Sequence, residues 1–199
     1  MAPDFETQSY WHERFTSEEA YEWLASSRIF FDHVQPYLSE SKTDRILQLG
    51  SGTSDLHTYL RQRGYSDVTN VDFEPLALER GRALEEAAFS DVQMKYVVAD
   101  VTRLDVELPA LHAFDLVVDK STADAVSCGG DAALRDMARG VRARLTANGV
   151  WISLSYSASR FELDGLPFEV SVIGKLGPAP KGKETDPDVY YWCYLLRPR

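Results

Sequence analysis

The chain has 199 residues, 44% of them hydrophobic and 26% charged, the size and balance of one soluble domain with a sizeable core. Its formal net charge of −10 argues against general nucleic-acid or anionic-membrane binding, and no apolar run approaches the roughly 20 residues of a membrane span. The two cysteines, Cys128 and Cys193, have no metal-ligand spacing and read as free thiols, so no metal is expected. The polar, acidic stretch from Met1 to Glu19 carries no secretory or transit pattern, and a cytoplasmic location is expected.

In chain order, Ser17 to Ala25 reads as a short helix, with Ser17 as N-cap before Glu18 and Glu19. Arg28 to Leu38 continues as a second helical segment, apolar at Ile29, Phe30, Val34 and Leu38. Residues 45–50 form a first strand, and Ser54 to Arg63 a helix stopped by Gly64. Val68 to Asp72 is the second strand, and Pro75 opens a helix running to about Ala88. Met94 to Ala99 is the third strand. Phe114 to Asp119 is the fourth, apolar enough to be covered on both faces. Asp131 to Leu145 is a helix ended by Asn148-Gly149, and Val150 to Tyr156 is the fifth strand. This alternation predicts a Rossmann-like, doubly wound α/β fold with a mostly parallel sheet. Phe168 to Leu176 and Val189 to Leu196 follow without a helical crossover and predict an antiparallel hairpin on the sheet edge. The chain divides into a helical cover (1–40), a cofactor-binding core (45–156) and the hairpin region (161–199), all within a single domain.

The densest chemistry lies at the first βα turn, Leu49-Gly50-Ser51-Gly52-Thr53. Gly50 and Gly52 allow a sharp turn and close backbone approach to a ligand, although such a turn is also ordinary strand-to-helix geometry. Asp72 stands twenty positions beyond Gly52, where nucleoside-binding α/β folds hold a ribose hydroxyl. Its carboxylate can accept both ribose hydroxyls, and Phe73 can flank the adenine. Asp100 and Val101 end the third strand in the same way, with carboxylate and amide placed for the adenine edge. Helix capping is the structural alternative for both aspartates. Asp55 replaces the third glycine of G-x-G-x-x-G, which disfavours a dinucleotide and its pyrophosphate. S-adenosyl-L-methionine, which leaves S-adenosyl-L-homocysteine as product, makes no such demand.

These residues resemble those of the seven-β-strand, class I S-adenosylmethionine-dependent methyltransferases, and more specifically the family containing the elongation factor 1-alpha lysine methyltransferases. Tyr10-Trp11-His12-Glu13-Arg14-Phe15 is similar to that family's Y-W-x-x-R-[YF], and Tyr21-Glu22-Trp23 to its Y-E-W. Ile46 to Leu56 is similar to its glycine motif. Phe114 to Ala125 resembles F-D-x-V-x-[DE]-K-G-T-x-D-A. The resemblance implies cofactor contacts at Trp11, Phe15, Trp23, Gly50, Asp72, Phe73, Asp100, Val101 and Lys120, with the three aromatics coming from an N-terminal cover. Aromatic faces suit a sulfonium, while core packing is their alternative role. Gln48 stands where the superfamily usually has an acidic residue, Ser121 replaces the glycine after the lysine, and Ser51 a common cysteine.

The activity this implies is methyl transfer by in-line displacement to a protein lysine amine, with a translation factor as the candidate protein substrate. The alternatives are a small-molecule amine, thiol or hydroxyl, and a non-catalytic cofactor-binding scaffold. Asp119, Asp124, Tyr156 and His12 are the candidate bases, none fixed by a motif, so the catalytic group stays unknown. The sequence does not set the oligomeric state.

Overall fold

The structure, a computed structural model, describes residues 4–108 and 113–199. The first three residues of the expected cover and residues 109–112 of the expected core lie outside these ranges. Seven strands form one sheet: β1 (Ile46–Leu49), β2 (Val68–Asp72), β3 (Lys95–Val98), β4 (Phe114–Lys120), β5 (Leu145–Ser155), β6 (Phe168–Leu176) and β7 (Tyr191–Pro198). Their order is β3-β2-β1-β4-β5-β7-β6. The first five are parallel, and β7 lies antiparallel between β5 and β6. The expected hairpin is therefore present, with β6 as the outermost strand.

Side-chain alternation along the strands sorts the core into two layers. Leu47, Leu49, Val117 and Trp151 point to one face and pack with Leu134, Met137, Ala138 and Val141 of α7 (Asp131–Arg144). Ile46, Leu116, Val118, Ile152 and Leu154 point to the other, under Phe30, Phe31 and Val34 of α2 (Ser27–Val34) and Leu56 and Leu60 of α3 (Leu56–Gln62). The sheet is thus covered on both faces, as a doubly wound fold requires. Among the described residues no helix is long and apolar enough to cross a membrane.

Three local expectations need correction. The first helix, α1, spans Gln8–Ser17, and residues 18–26 are irregular, so Ser17 ends a helix instead of capping one. Glu18 is used elsewhere: its carboxylate accepts from Arg14 Nε at 2.6 Å and from Thr53 Oγ1 at 2.8 Å. Second, α7 stops at Arg144, where Leu145 turns extended. Asn148-Gly149 lies inside β5, opposite an irregularity between Phe114 and Leu116. A Cβ at Gly149 would sit 2.8 Å from the Phe114 carbonyl oxygen, so glycine there serves strand approach. Third, two short helices went unread, α5 (Leu104–Glu107) and α6 (Thr122–Ser127). The remaining helix, α4 (Pro75–Phe89), begins at its proline as expected.

Candidate active site

The carboxyl ends of β1 to β4 open into a cavity of about 600 Å³, within the range of about 300–1,000 Å³ usual for small-molecule sites. Trp11, Phe15, Trp23, Gly50, Gly52, Asp72, Phe73, Asp100, Val101 and Lys120 all line it. Every cofactor-contact residue named from the sequence is therefore brought to one place.

The glycine turn builds the floor. Gly50 and Gly52 have φ of +56° and +51°, in the left-handed region that disfavours a side chain. A Cβ at Gly50 would lie 2.3 Å from Thr122 Oγ1, and that hydroxyl donates to the Leu49 carbonyl at 2.8 Å. At Gly52 the nearest atom would be Phe15 Cζ, at an ordinary 3.7 Å. Gly50→Ala is therefore expected to cost about 2–4 kcal/mol, combining left-handed strain with overpacking. Gly52→Ala should cost only the strain. Urea midpoints that fail to rank the two variants in this order would remove the argument.

Asp72 is buried, and its carboxylate accepts from Gly52 N–H and Glu74 N–H, both at 2.9 Å. Burial pushes its carboxyl up to about 6, against the pull of these backbone donors. The cap of α4 is Glu74, whose side chain accepts from Leu76 N–H, so Asp72 does not serve as that cap. Two oxygens with about four lone-pair sites leave it room for two further donors. Asp100 does cap: its Oδ1 accepts from Thr102 N–H at 2.8 Å and Thr102 Oγ1 at 2.7 Å.

The cover forms the roof. Gln8 Nε2 donates to the Phe73 carbonyl at 2.7 Å, and His12 Nδ1 lies 3.1 Å from Glu74 Oε1. His12 is thus a docking contact for α1. Phe5, Trp11, Phe15 and Trp23 pack as one aromatic cluster, with centroids 5.4–6.0 Å apart along the chain of contacts. Arg14 stacks on it, 4.7 Å from the Trp23 ring and 5.1 Å from that of Tyr21.

Lys120 ends β4 facing the cover. Its ammonium pairs with the Glu22 carboxylate and donates to the Ala25 carbonyl at 3.0 Å. Glu22 also accepts from Asp55 N–H at 2.9 Å and Ser27 Oγ at 3.2 Å. Burial pulls the Lys120 ammonium down to about 7, while the touching carboxylate draws it back, and we hold both groups charged. The sequence reading missed Glu22 as the hub between cover and core; Y-E-W marked its position but not its partner.

Of the candidate bases, Asp119 does not line the cavity. It is buried, accepts from Trp151 Nε1 at 2.8 Å and Ala123 N–H at 3.0 Å, and is a strut beneath α6. Burial pushes it up to about 6. Asp124 and Tyr156 do line the cavity. Asp124 accepts from Arg160 Nε and from Tyr156 N–H, each at 2.8 Å, and the Tyr156 side chain is exposed.

Gln48 supplies a direct test of fit for an adenosine-sulfonium cofactor. Its Oε1 is buried and has no partner among the described residues, and the residue lines the cavity beside the glycine turn. An unsatisfied buried acceptor costs about 1–3 kcal/mol, and a ligand ammonium at that point would satisfy it. The residues present fit S-adenosylmethionine.

Comparison with known proteins agrees. Residues 46–149 match the family described as a methyltransferase domain. The chain is 53% identical to "Methyltransferase srdJ" of Neurospora crassa, over 99% of this chain and 85% of that protein. It is 32% identical to "EEF1A lysine methyltransferase 4" of Mus musculus, over 60% of this chain but only 45% of that protein. A chain solved in work on the conversion of a disulfide bond into a thioacetal group during echinomycin biosynthesis shares the fold, with a TM-score of 0.70, 20% identity and coverage of 96% of this chain and 93% of that one. So does magnesium protoporphyrin IX methyltransferase of Synechocystis PCC 6803 with bound S-adenosylmethionine, at a TM-score of 0.64 and 12% identity, covering 99% and 98%. Sheet order, glycine turn, strand-end carboxylates and these likenesses converge: the chain belongs to the methyltransferase-domain family, as a class I, Rossmann-like enzyme that uses S-adenosylmethionine.

Proposed function

We propose that the cofactor lies across the ends of β1, β2 and β3 and that the acceptor enters from the side of α6 and Tyr156. In this reading Gly50 and Gly52 let the backbone approach the amino-acid tail, and Gln48 accepts from its ammonium. Asp72 takes the ribose hydroxyls, while Phe73, Asp100 and Val101 hold the adenine. Trp11, Phe15 and Trp23 close the roof, and the Lys120–Glu22 pair ties that roof to β4. The bound cofactor supplies an electrophilic methyl on a sulfonium; the protein's share is alignment and exclusion of water. The observation that carries the reading is the buried Gln48 oxygen, unpartnered among the described residues, in a cavity that Asp72 also lines from the neighbouring strand β2.

For the acceptor, the geometry best supports a small molecule, because Phe5 and Glu6 fold over the cavity toward the α6–α7 junction. A Cβ on Gly129 would lie 3.6 Å from that of Glu6. A protein lysine amine is the second reading. It is supported by the resemblance of Tyr10–Phe15 and Phe114–Ala125 to the elongation factor methyltransferases, and by relatives bearing that name.

Transfer of labelled methyl from S-adenosylmethionine into a cell extract, separated into protein and small-molecule fractions, tests this. Label among small molecules supports the first reading and a labelled protein band the second. No label in either, with cofactor bound, would leave a scaffold.

A further inference from the structure

The acceptor half of the cavity differs in chemistry from the cofactor half. Its charged side chains are Asp124, Arg160 and Glu6. Asp124 and Arg160 neutralise each other, with Arg160 Nε and NH2 both 2.8 Å from Asp124 Oδ1. Arg160 also donates to Ser127 Oγ, and Asp124 accepts from Ser155 Oγ, Ser121 Oγ and Tyr156 N–H. The pair is consumed by its own network. Glu6 is exposed to solvent. The apolar part of this wall comes from Phe5, Ala125, Val126, Ala133 and Tyr156, beside the uncharged Ser127, Cys128 and Gly129. Phe5 is fixed there by its carbonyl, which accepts from Trp11 Nε1 at 2.7 Å.

We infer that this half is a binding site for a small, uncharged, flat apolar acceptor, such as an aromatic ring bearing the nucleophilic atom. The inference rests on the cofactor placement above and narrows it. An ammonium brought here would lose its water and find no free buried carboxylate among the described residues, a penalty of several kcal/mol. An uncharged ring loses little and gains stacking and apolar contact. In the transfer, a lone pair of the acceptor's oxygen, nitrogen or sulfur forms the new bond to the methyl carbon. The sulfonium sulfur keeps the electron pair of the bond that breaks, and the acceptor's proton leaves to water.

The test is equilibrium binding by calorimetry, with 2-naphthol and Nα-acetyl-lysine methylamide as probes, on protein saturated with S-adenosylhomocysteine. Ala133→Trp fills the site, and Ala132→Trp, on an exposed neighbour outside the cavity, controls for the bulk. We expect saturable naphthol binding that weakens at least tenfold in Ala133→Trp and stays within twofold in Ala132→Trp. The lysine derivative should give no saturable heat, and homocysteine-product affinity should stay within twofold in both variants. Equal or tighter binding of the lysine derivative overturns the inference, as does naphthol binding that is absent or indifferent to Ala133→Trp. Ala133→Leu, a smaller intrusion, should weaken naphthol binding less than Trp, and no effect from either variant also overturns it. Failure of the product itself to bind wild-type protein would overturn the cofactor placement instead, and this inference with it.

Discussion

Asp72→Asn should reduce S-adenosylmethionine affinity by roughly 10²- to 10⁴-fold. Two charge-assisted hydrogen bonds to the ribose, at about 1.5–3 kcal/mol each, are lost, with about 1.4 kcal/mol per tenfold. The Asn side chain keeps the volume and can still accept from one of the Gly52 and Glu74 amides that Asp72 holds. Asp72→Ala should bind no better, and should also lose stability because both amides are orphaned. The carboxyl also sets a pH dependence. Burial holds it at about 6 in the free protein, and hydroxyl donors favour its ionised form, so binding lowers that value and releases a proton. Affinity is then full above about pH 6 and falls as pH drops below it, approaching tenfold per unit. Asp72→Asn should abolish that slope. Isothermal titration from pH 5 to 8 reads both effects; affinity within a few-fold of wild type would remove the ribose assignment.

Removing residues 1–25, so that the chain starts at Ser26, should weaken cofactor binding by about 10- to 2,000-fold while the sheet stays folded. Ser26 is a natural starting point, since its side chain caps α2 by accepting from Ile29 N–H. The deletion takes away Phe5, Trp11, Phe15 and Trp23 together. Trp11, Phe15 and Trp23 are each worth roughly 0.5–1.5 kcal/mol as an aromatic or cation–π contact to a bound sulfonium nucleoside. It also strips Glu22 and the Ala25 carbonyl from Lys120, leaving the ammonium at the cavity edge, where it hydrates. Circular dichroism and a cooperative urea transition would show the retained sheet. Unchanged affinity in a folded truncation would mean that the aromatic roof packs for its own sake.

The sequence disclosed the parts of this fold whose burial is simple. β1, β2 and β4 are covered on both faces, so they are buried almost throughout, and their limits fall within a residue of expectation. Glycine and proline punctuation placed α3 and α4. The cover was harder. α1 has no side-chain cap at Thr7, and its aromatics face a cavity instead of a core, so the usual apolar stripe is absent. The Ser17-Glu18-Glu19 triplet resembles a helix start, yet Glu18 and Glu22 are spent on contacts 35 and 98 residues away, which no local pattern reveals. The cofactor residues were legible because each sits at a strand end with its own local sign. The Asp124–Arg160 pair was not, since its partners lie 36 residues apart on two different connections.

The interleaving of the last two strands bears on how the molecule is made. β6 leaves the ribosome before β7, yet in the finished sheet it touches β5 only through β7. Until Tyr191–Pro198 has emerged, β6 has no neighbour to pair with, and the edge of β5 stands open beside it. The nascent chain therefore passes through a stage in which a nine-residue strand and an unpaired sheet edge are both exposed, an invitation to mispairing. The polar Glu169, Ser171 and Lys175, exposed on β6 together with Val172, are the kind of residues that keep such a strand soluble while it waits.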